Sequence, residues 1–428
     1  MHGLEPIILP LGASTMTDVE NLEKIILDIF GVRKNIKNKN NTNDCISPLN
    51  KQSLNLFSYN FLDRLSRLNR KFSSNPGEIN EICEKVKNLG EAKNSQWAGP
   101  YSELVALDFF AQFNFEIDYI NILDINAHKK SIPYRMGQKE VIDIDICLGA
   151  KNTKLYTDVK SFNCIHTNIF DEIFASVETF AFDKLGKSVL LGVDNLSSID
   201  YIDVKNNLGA KKKTIERNLK AAVEKNLRIF VFDSDGLVFK FRIEYSDTIS
   251  TVKEFSPFAQ AEAYKYKFLD YGNKLVDDEY SLITMVRNPW FNEETVDFGN
   301  FNNLFYRSLS RRTFMELLRN RGKAKNFSHG YFSTNISVRE ISQNLAGIIF
   351  IDDYSFSAKN VDDLYGAYIY LNPNYKNKPP LTIRSLEKYF RTDREIQIKD
   401  FDDFKNRLRM HKKMLHGLDY CFYDGQLE

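Results

Sequence analysis

Two neighbouring stretches, Val141-Ile142-Asp143-Ile144-Asp145-Ile146 and Tyr156-Thr157-Asp158-Val159-Lys160-Ser161-Phe162, decide how this chain is read. Side chains on a strand alternate between faces, so Asp143 and Asp145 share one face while Ile142, Ile144 and Ile146 take the other. The same parity sets Asp158 and Lys160 together, opposite Leu155, Thr157 and Val159. If the strands pair through the short connection Gly149–Thr153, three carboxylates and one ammonium converge on one patch. Desolvating such a cluster is costly, because like charges a few ångströms apart oppose joint ionisation. A divalent cation removes the conflict, and oxygen ligands of this kind suit Mg²⁺, with Mn²⁺ as the alternative. The competing account is a salt-bridge ladder on the solvated face of a half-exposed sheet.

Upstream, Pro100 opens a helix through Glu103, Leu104, Leu107 and Phe110. Its spacing puts Glu103 on the inward side with Leu107 and Phe110, where a carboxylate requires a partner. Strand-like runs are expected over 115–122, 141–148 and 154–160, a helix over 168–184 and another strand over 188–193. The expected order is α-β-β-β-α-β.

Helical Glu103, strand Asp143 and the triplet Asp158-Val159-Lys160, in that order of elements, resemble the PD-(D/E)xK nuclease superfamily over residues 99–195. The resemblance implies a restriction-endonuclease-like fold, with Glu103, Asp143 and Asp158 as metal ligands and Lys160 as the lysine that assists the attacking water. Asp145 is the alternative to Asp143; Ile144 and Ile146 match the apolar-x-apolar continuation that follows the family's aspartate and favour Asp143. Glu91-Ala92-Lys93, Asp203-Val204-Lys205 and Asp403-Phe404-Lys405 also fit the triplet, but without the acidic strand before it and the glutamate helix upstream. His166 reads as a loop residue, and Cys147 and Cys164 as packing residues.

The rest of the chain falls around this block. A helical N-terminal region is expected over 1–97, with helices at 17–32, 59–68 and 79–89, and a nuclease domain over 98–246. The latter closes with a basic helix at 209–226 and a hairpin of strands at 228–232 and 237–243. A second α+β domain is expected over 250–428, with strands at 282–286, 347–351 and 367–371, serving target recognition or oligomerisation. The whole is expected to be an α/β protein with an αβββαβ core.

Lys+Arg number 58 against 57 Asp+Glu, a net charge of +1, so any nucleic acid must be met by local patches and not by a global field. Residues 205–228 carry eight Lys/Arg against two Glu, including Lys211-Lys212-Lys213, and residues 311–326, with Arg311 and Arg312, carry six against one. Such patches supply the sequence-independent phosphate contribution to affinity. Aromatics at Trp290-Phe291 and Leu304-Phe305-Tyr306-Arg307 read as core residues more readily than as base-stacking ones. Five scattered cysteines without CxxC pairs point to reduced thiols, and no apolar run is long enough to cross a membrane. The expectation is a cytoplasmic Mg²⁺-dependent deoxyribonuclease, an endonuclease of bacterial restriction or anti-phage defence. Its partners are DNA, and either a second copy or a defence-complex protein. The alternatives are a nuclease-fold module that binds or regulates without cutting, and an RNA-directed nuclease.

Overall fold

The computed structural model describes residues 18–39, 41, 45–50, 55–92, 94–112, 117–123, 125, 144–150, 153–162, 176–194, 208–234, 237–244, 261–262, 264–277, 279–289, 305–330, 332–372 and 374–377. Four helices come first: α1 (Asp18–Phe30), α2 (Leu56–Phe72), α3 (Pro76–Glu91) and α4 (Ala98–Ala111). Asn55 and Asn75 cap α2 and α3 by accepting from backbone N–H groups of the first turn, and Pro76 occupies the opening position of α3 where no N–H is needed. The expected Thr17 cap of α1 lies outside the described residues.

The sheet that follows has six strands: β1 (Tyr119–Asn121), β2 (Ile146–Ala150), β3 (Thr153–Ser161), β7 (Tyr280–Arg287), β10 (Leu345–Asp353) and β11 (Tyr365–Leu371), side by side in that order. Pairs β1–β2, β2–β3 and β10–β11 are antiparallel, whereas β3–β7 and β7–β10 are parallel. The protein is therefore a mixed α/β structure. Parallel strands are covered on both faces, which is why 280–287 and 345–353 are buried almost without interruption. One face, with Leu155, Val159, Leu282, Val286, Ile349 and Ile351, packs against the layer of α1–α4. The other, with Ile283, Met285, Ile348 and Phe350, packs against a helix at Arg307–Arg319, a short one at Val338–Asn344 and the segment 264–275. Phe305 and Tyr306 belong to this second core, as the sequence suggested.

Two expectations change here. The strand at 188–193 is present as β4 (Ser188–Asp194), but not as the fourth strand of the main sheet: it pairs with β6 (Leu237–Glu244), which also carries β5 (Ile229–Ser234), in a separate antiparallel sheet. The hairpin β5–β6 is local and supplies an antiparallel partner at once, whereas a parallel partner for β3 requires a longer crossover. That partner is β7. The expected boundary at 246–250 accordingly runs through the main sheet, which draws strands from both sides of it. The basic helix is found at Leu208–Glu224, and residues 176–185, overlapping the expected 168–184 helix, are helical. No helix among the described residues is long and apolar enough to cross a membrane.

Candidate metal and active site

Antiparallel pairing of β2 with β3 sets Ile146 opposite Thr157. One step further along that ladder, Asp145 comes opposite Asp158, and Asp145 Oδ2 accepts the backbone N–H of Val159 at 2.6 Å. Directly opposed like charges destabilise a strand pair. Here they do so in a dry setting: Asp158 is 1 % exposed, and among the described residues neither of its oxygens has a partner in hydrogen-bonding geometry. Lys160 Nζ lies 2.5 Å from Asp158 Oδ2 as an ion pair outside hydrogen-bonding angles, and Lys274 Nζ lies 3.9 Å from Oδ1. Burial first, and then the Asp145 charge, push the Asp158 carboxyl up to about 7, against the pull of Lys160.

Glu103 projects from α4, which packs on β3. It is half-buried and paired with Lys85 of α3, which also reaches Glu81 at 3.2 Å. Burial raises the Glu103 carboxyl, Lys85 opposes that rise, and Asp145 adds to it while Lys160 lowers it. Asp145 and Lys160 thus contribute to the electrostatics of both Glu103 and Asp158, although α4 packs on the Leu155 and Val159 face of β3 and Asp158 belongs to the other. Asp143, together with His166 and Cys164, lies outside the described residues. Cys147 packs with Ile144, Tyr156 and Val276 as a small apolar cluster.

The donor set fits a hard divalent cation in kind: carboxylate oxygens, two of them the buried pair of Asp158. Among the described residues no group of three or more His, Cys, Asp or Glu side chains is gathered closely enough to enclose an ion, and Glu103 is paired with Lys85.

The expected phosphate-binding residues are placed differently. Arg311 and Arg312 are buried in the second core, 4 % and 2 % exposed, and Arg312 bonds Ser308 Oγ at 2.8 Å and Glu262 Oε2 at 2.5 Å. Their helix is sunk in the core, so these guanidinium groups face protein. The exposed cations of that stretch are Arg319 at the end of the helix and Arg321, Lys323 and Lys325 in the turn after it. On the 208–224 helix Lys211 is buried, Lys212 partly so and Lys213 exposed.

Sequence reasoning missed Lys85, Lys267, Tyr271 and Lys274. Lys160 Nζ stands 5.4 Å from the centre of the Tyr271 ring, and Lys267 Nζ 5.1 Å from that of Tyr264. No local pattern marks these lysines: Lys85 comes from α3, and Lys274 reaches Asp158 because the segment before β7 folds over β3. Comparison with protein-family models, with curated proteins and with solved structures finds no match to this chain.

Proposed function

We propose that this chain is a divalent-cation-dependent nuclease of PD-(D/E)xK type that hydrolyses phosphodiester bonds in DNA, in the setting of bacterial restriction or phage defence. The observation that carries it is Asp158, a buried carboxylate that faces Asp145 across one rung and has Lys160, two residues along the strand, as its ion-pair partner. Two acids set against each other in a buried position, with a lysine beside them, are costly to a core and are the arrangement expected of a functional site. The element order lends support: α4, three antiparallel strands and then a parallel strand beside the third. The chain between β3 and β7 is then an insertion that carries its own small sheet.

In this reading Asp158, Asp145 or Asp143, and Glu103 hold Mg²⁺ or Mn²⁺. The ion, when bound, polarises a phosphoryl oxygen and lowers the pKa of a bound water. Lys160, 27 % exposed, is open enough to orient that water or to offset charge developing at phosphorus. The test is nicking or linearisation of plasmid DNA with Mg²⁺, with EDTA, and with Lys160→Ala. Loss of cleavage with EDTA and a drop of roughly a hundredfold in the variant are expected; undiminished cleavage by the variant overturns the site.

The Lys85–Glu103 ion pair favours a second reading, in which the same fold binds nucleic acid without cutting it. Cation-dependent DNA binding with no turnover on DNA or RNA identifies that case.

A further inference from the structure

The chain as a whole is balanced at 58 Lys+Arg against 57 Asp+Glu, yet from Leu317 to Arg339 it carries five Lys/Arg and no acid. Three of the five, Arg321, Lys323 and Lys325, fall at alternate positions in the turn after the Arg307–Arg319 helix, and every residue from 321 to 326 is exposed. Among the described residues none of these three side chains is ion-paired; Lys323 Nζ lies 5.9 Å from the centre of the Phe327 ring.

The turn has an anchored base at each end. Before it, the Asn320 N–H donates to the Glu316 carbonyl at 3.0 Å, and the Lys323 N–H donates to the Asn320 carbonyl at 2.8 Å. After it, Asn326, with φ 64°, bends the chain into a small hairpin of Ser328–His329 with Phe332–Ser333, closed by the Thr334 N–H on the Phe327 carbonyl at 2.9 Å. That hairpin is fastened in turn: Phe332 enters the second core, Ser333 N–H donates to Asp270 Oδ1 at 3.0 Å, and His329 stacks on Tyr266 with ring centres 3.8 Å apart. The fold does not need the charges it holds out in this way. A helix C-terminus favours cations, but Arg319 fills that role while bonded to Glu316 at 3.0 Å, and the effect fades within the last turn.

We propose that the turn Arg321–Lys325 is a preformed arm that binds the phosphate backbone of duplex DNA, separate from the acid–lysine cluster. Charge without apolar surface selects this partner. Gly322 and Ala324 lie between the cations, and a Cβ on Gly322 would meet nothing within 4 Å, so a phosphate backbone can approach closely. A protein partner calls for an apolar centre to the patch, and a membrane for a large apolar side chain that enters the lipid. The aromatic residue at the turn, Phe327, instead packs against the second core. Phosphate oxygens need only the cations. The arm also stands on the side of the sheet to which the cluster belongs: Asp158 and Lys160 are in register with Ile283 and Met285, whose face the Arg307–Arg319 helix covers.

Duplex DNA as the polyanion rests on the nuclease reading, but the test does not need cleavage. Binding of a fluorescein-labelled duplex in EDTA is followed by anisotropy over a range of NaCl. The wild type is compared with the triple variant Arg321→Gln, Lys323→Gln, Lys325→Gln and with the charge-conserving triple Arg321→Lys, Lys323→Arg, Lys325→Arg. A third triple, Arg33→Gln, Arg70→Gln, Lys359→Gln, removes the same charge from exposed positions elsewhere. The glutamine triple at the turn is expected to bind about a hundredfold more weakly in low salt and to lower the slope of log K against log[NaCl] by about two to three. The charge-conserving triple and the charge-matched control should keep the wild-type slope, and thermal melting should show all three variants folded. No duplex binding by the wild type, a wild-type slope in the glutamine triple or an equal loss in the control overturns the proposal. Tighter binding of single-stranded RNA or of phosphatidylserine vesicles than of the duplex at the same salt overturns it as well. If the wild type binds with the expected dependence on the turn yet cuts nothing, the nuclease reading fails and the arm stands; if it cuts and the glutamine triple binds as the wild type does, the arm fails and the reading stands.

Discussion

Asp145 and Asp158 face one another across the β2–β3 ladder, held there by the 2.6 Å bond from the Val159 N–H to Asp145 Oδ2. That bond uses a backbone donor of β3 to fix an acid beside another acid. It orders the cluster without neutralising it, so the electrostatic cost falls on Asp158, which burial and the Asp145 charge raise against the pull of Lys160.

Replacing Asp158 by Asn is therefore expected to stabilise the protein at neutral pH and to do nothing in acid. The folded-state carboxyl is raised from 3.8 to about 7, so the wild type suffers no penalty below pH 4, where the group is protonated in both states. As pH rises, the unfolded chain releases this proton first; stability is lost through the window from about 4 to about 7 and levels off above it. The melting-temperature difference, Asp158→Asn minus wild type, should grow across that window. A difference that stays flat from pH 4 to pH 8 contradicts the burial and charge assigned to Asp158. At pH 8, Mn²⁺ should raise the melting temperature of the wild type and leave the variant unmoved.

Lys85 is the counter-ion of Glu103 and reaches it from a different helix. Lys85→Met removes the cation and leaves a half-buried carboxylate next to Asp145, so a loss of about 1–2 kcal/mol in urea denaturation is expected. Adding Glu103→Gln should recover most of that loss, because the residual charge is then gone. Equal, additive losses from the two changes would mean that the pair is not coupled.

Arg64 fastens the helical layer to the far end of the sheet. It is fully buried and donates to both oxygens of Asp353 at 3.0 Å, to Ser355 Oγ at 2.9 Å, to Tyr365 at 2.8 Å and to Tyr101 at 3.0 Å. Nearby, Arg67 holds Asp108 through two bonds of 2.8 and 2.6 Å. Arg64→Met leaves Asp353 buried without its cation, which costs about 3–5 kcal/mol in systems of this kind. Chemical denaturation measures it, and Arg64→Met combined with Asp353→Asn should cost less than Arg64→Met alone.

What could be read from sequence follows the range of the interactions. Helices α1–α4, the pairing of 146–150 with 153–161 and the hairpin 229–244 depend on caps, periodicity and nearby partners, all present in the local pattern. Asp145, Asp158 and Lys160 were legible for the same reason, since strand parity alone puts them on one patch. The neighbour of β3 was not legible: 188–194 and 280–287 are both apolar strands after a crossover, and only the local hairpin, which captures the first, distinguishes them. Buried Arg311 and Arg312 illustrate the converse, a basic run that looks like a surface patch until Glu262 and Ser308, distant and near in sequence, are seen to receive it. Lys274 had no signal because its position is a consequence of tertiary packing under Gly272.

Gly347 offers a way to separate the stability of the sheet from the properties of the site. It lies in β10 opposite Leu371 of β11, at a shift in register against β7 between Leu345 and Gly347. A Cβ there would stand 2.7 Å from the Tyr370 carbonyl oxygen and 3.3 Å from Leu371 Cα, backbone atoms that cannot swing aside. Gly347→Ala is expected to part this end of the β10–β11 pair at a cost of about 1–3 kcal/mol, with faster hydrogen exchange at Ile348 and Tyr370 amides. Asp158 sits across β7 from this position, and effects at separated sites are close to additive. The Mn²⁺-induced rise in melting temperature should therefore survive in Gly347→Ala on a lower baseline. If that rise vanished as well, the acidic cluster would depend on the far half of the sheet, and the site could not be the local construction of β2, β3 and α4 argued from Asp145 and Asp158.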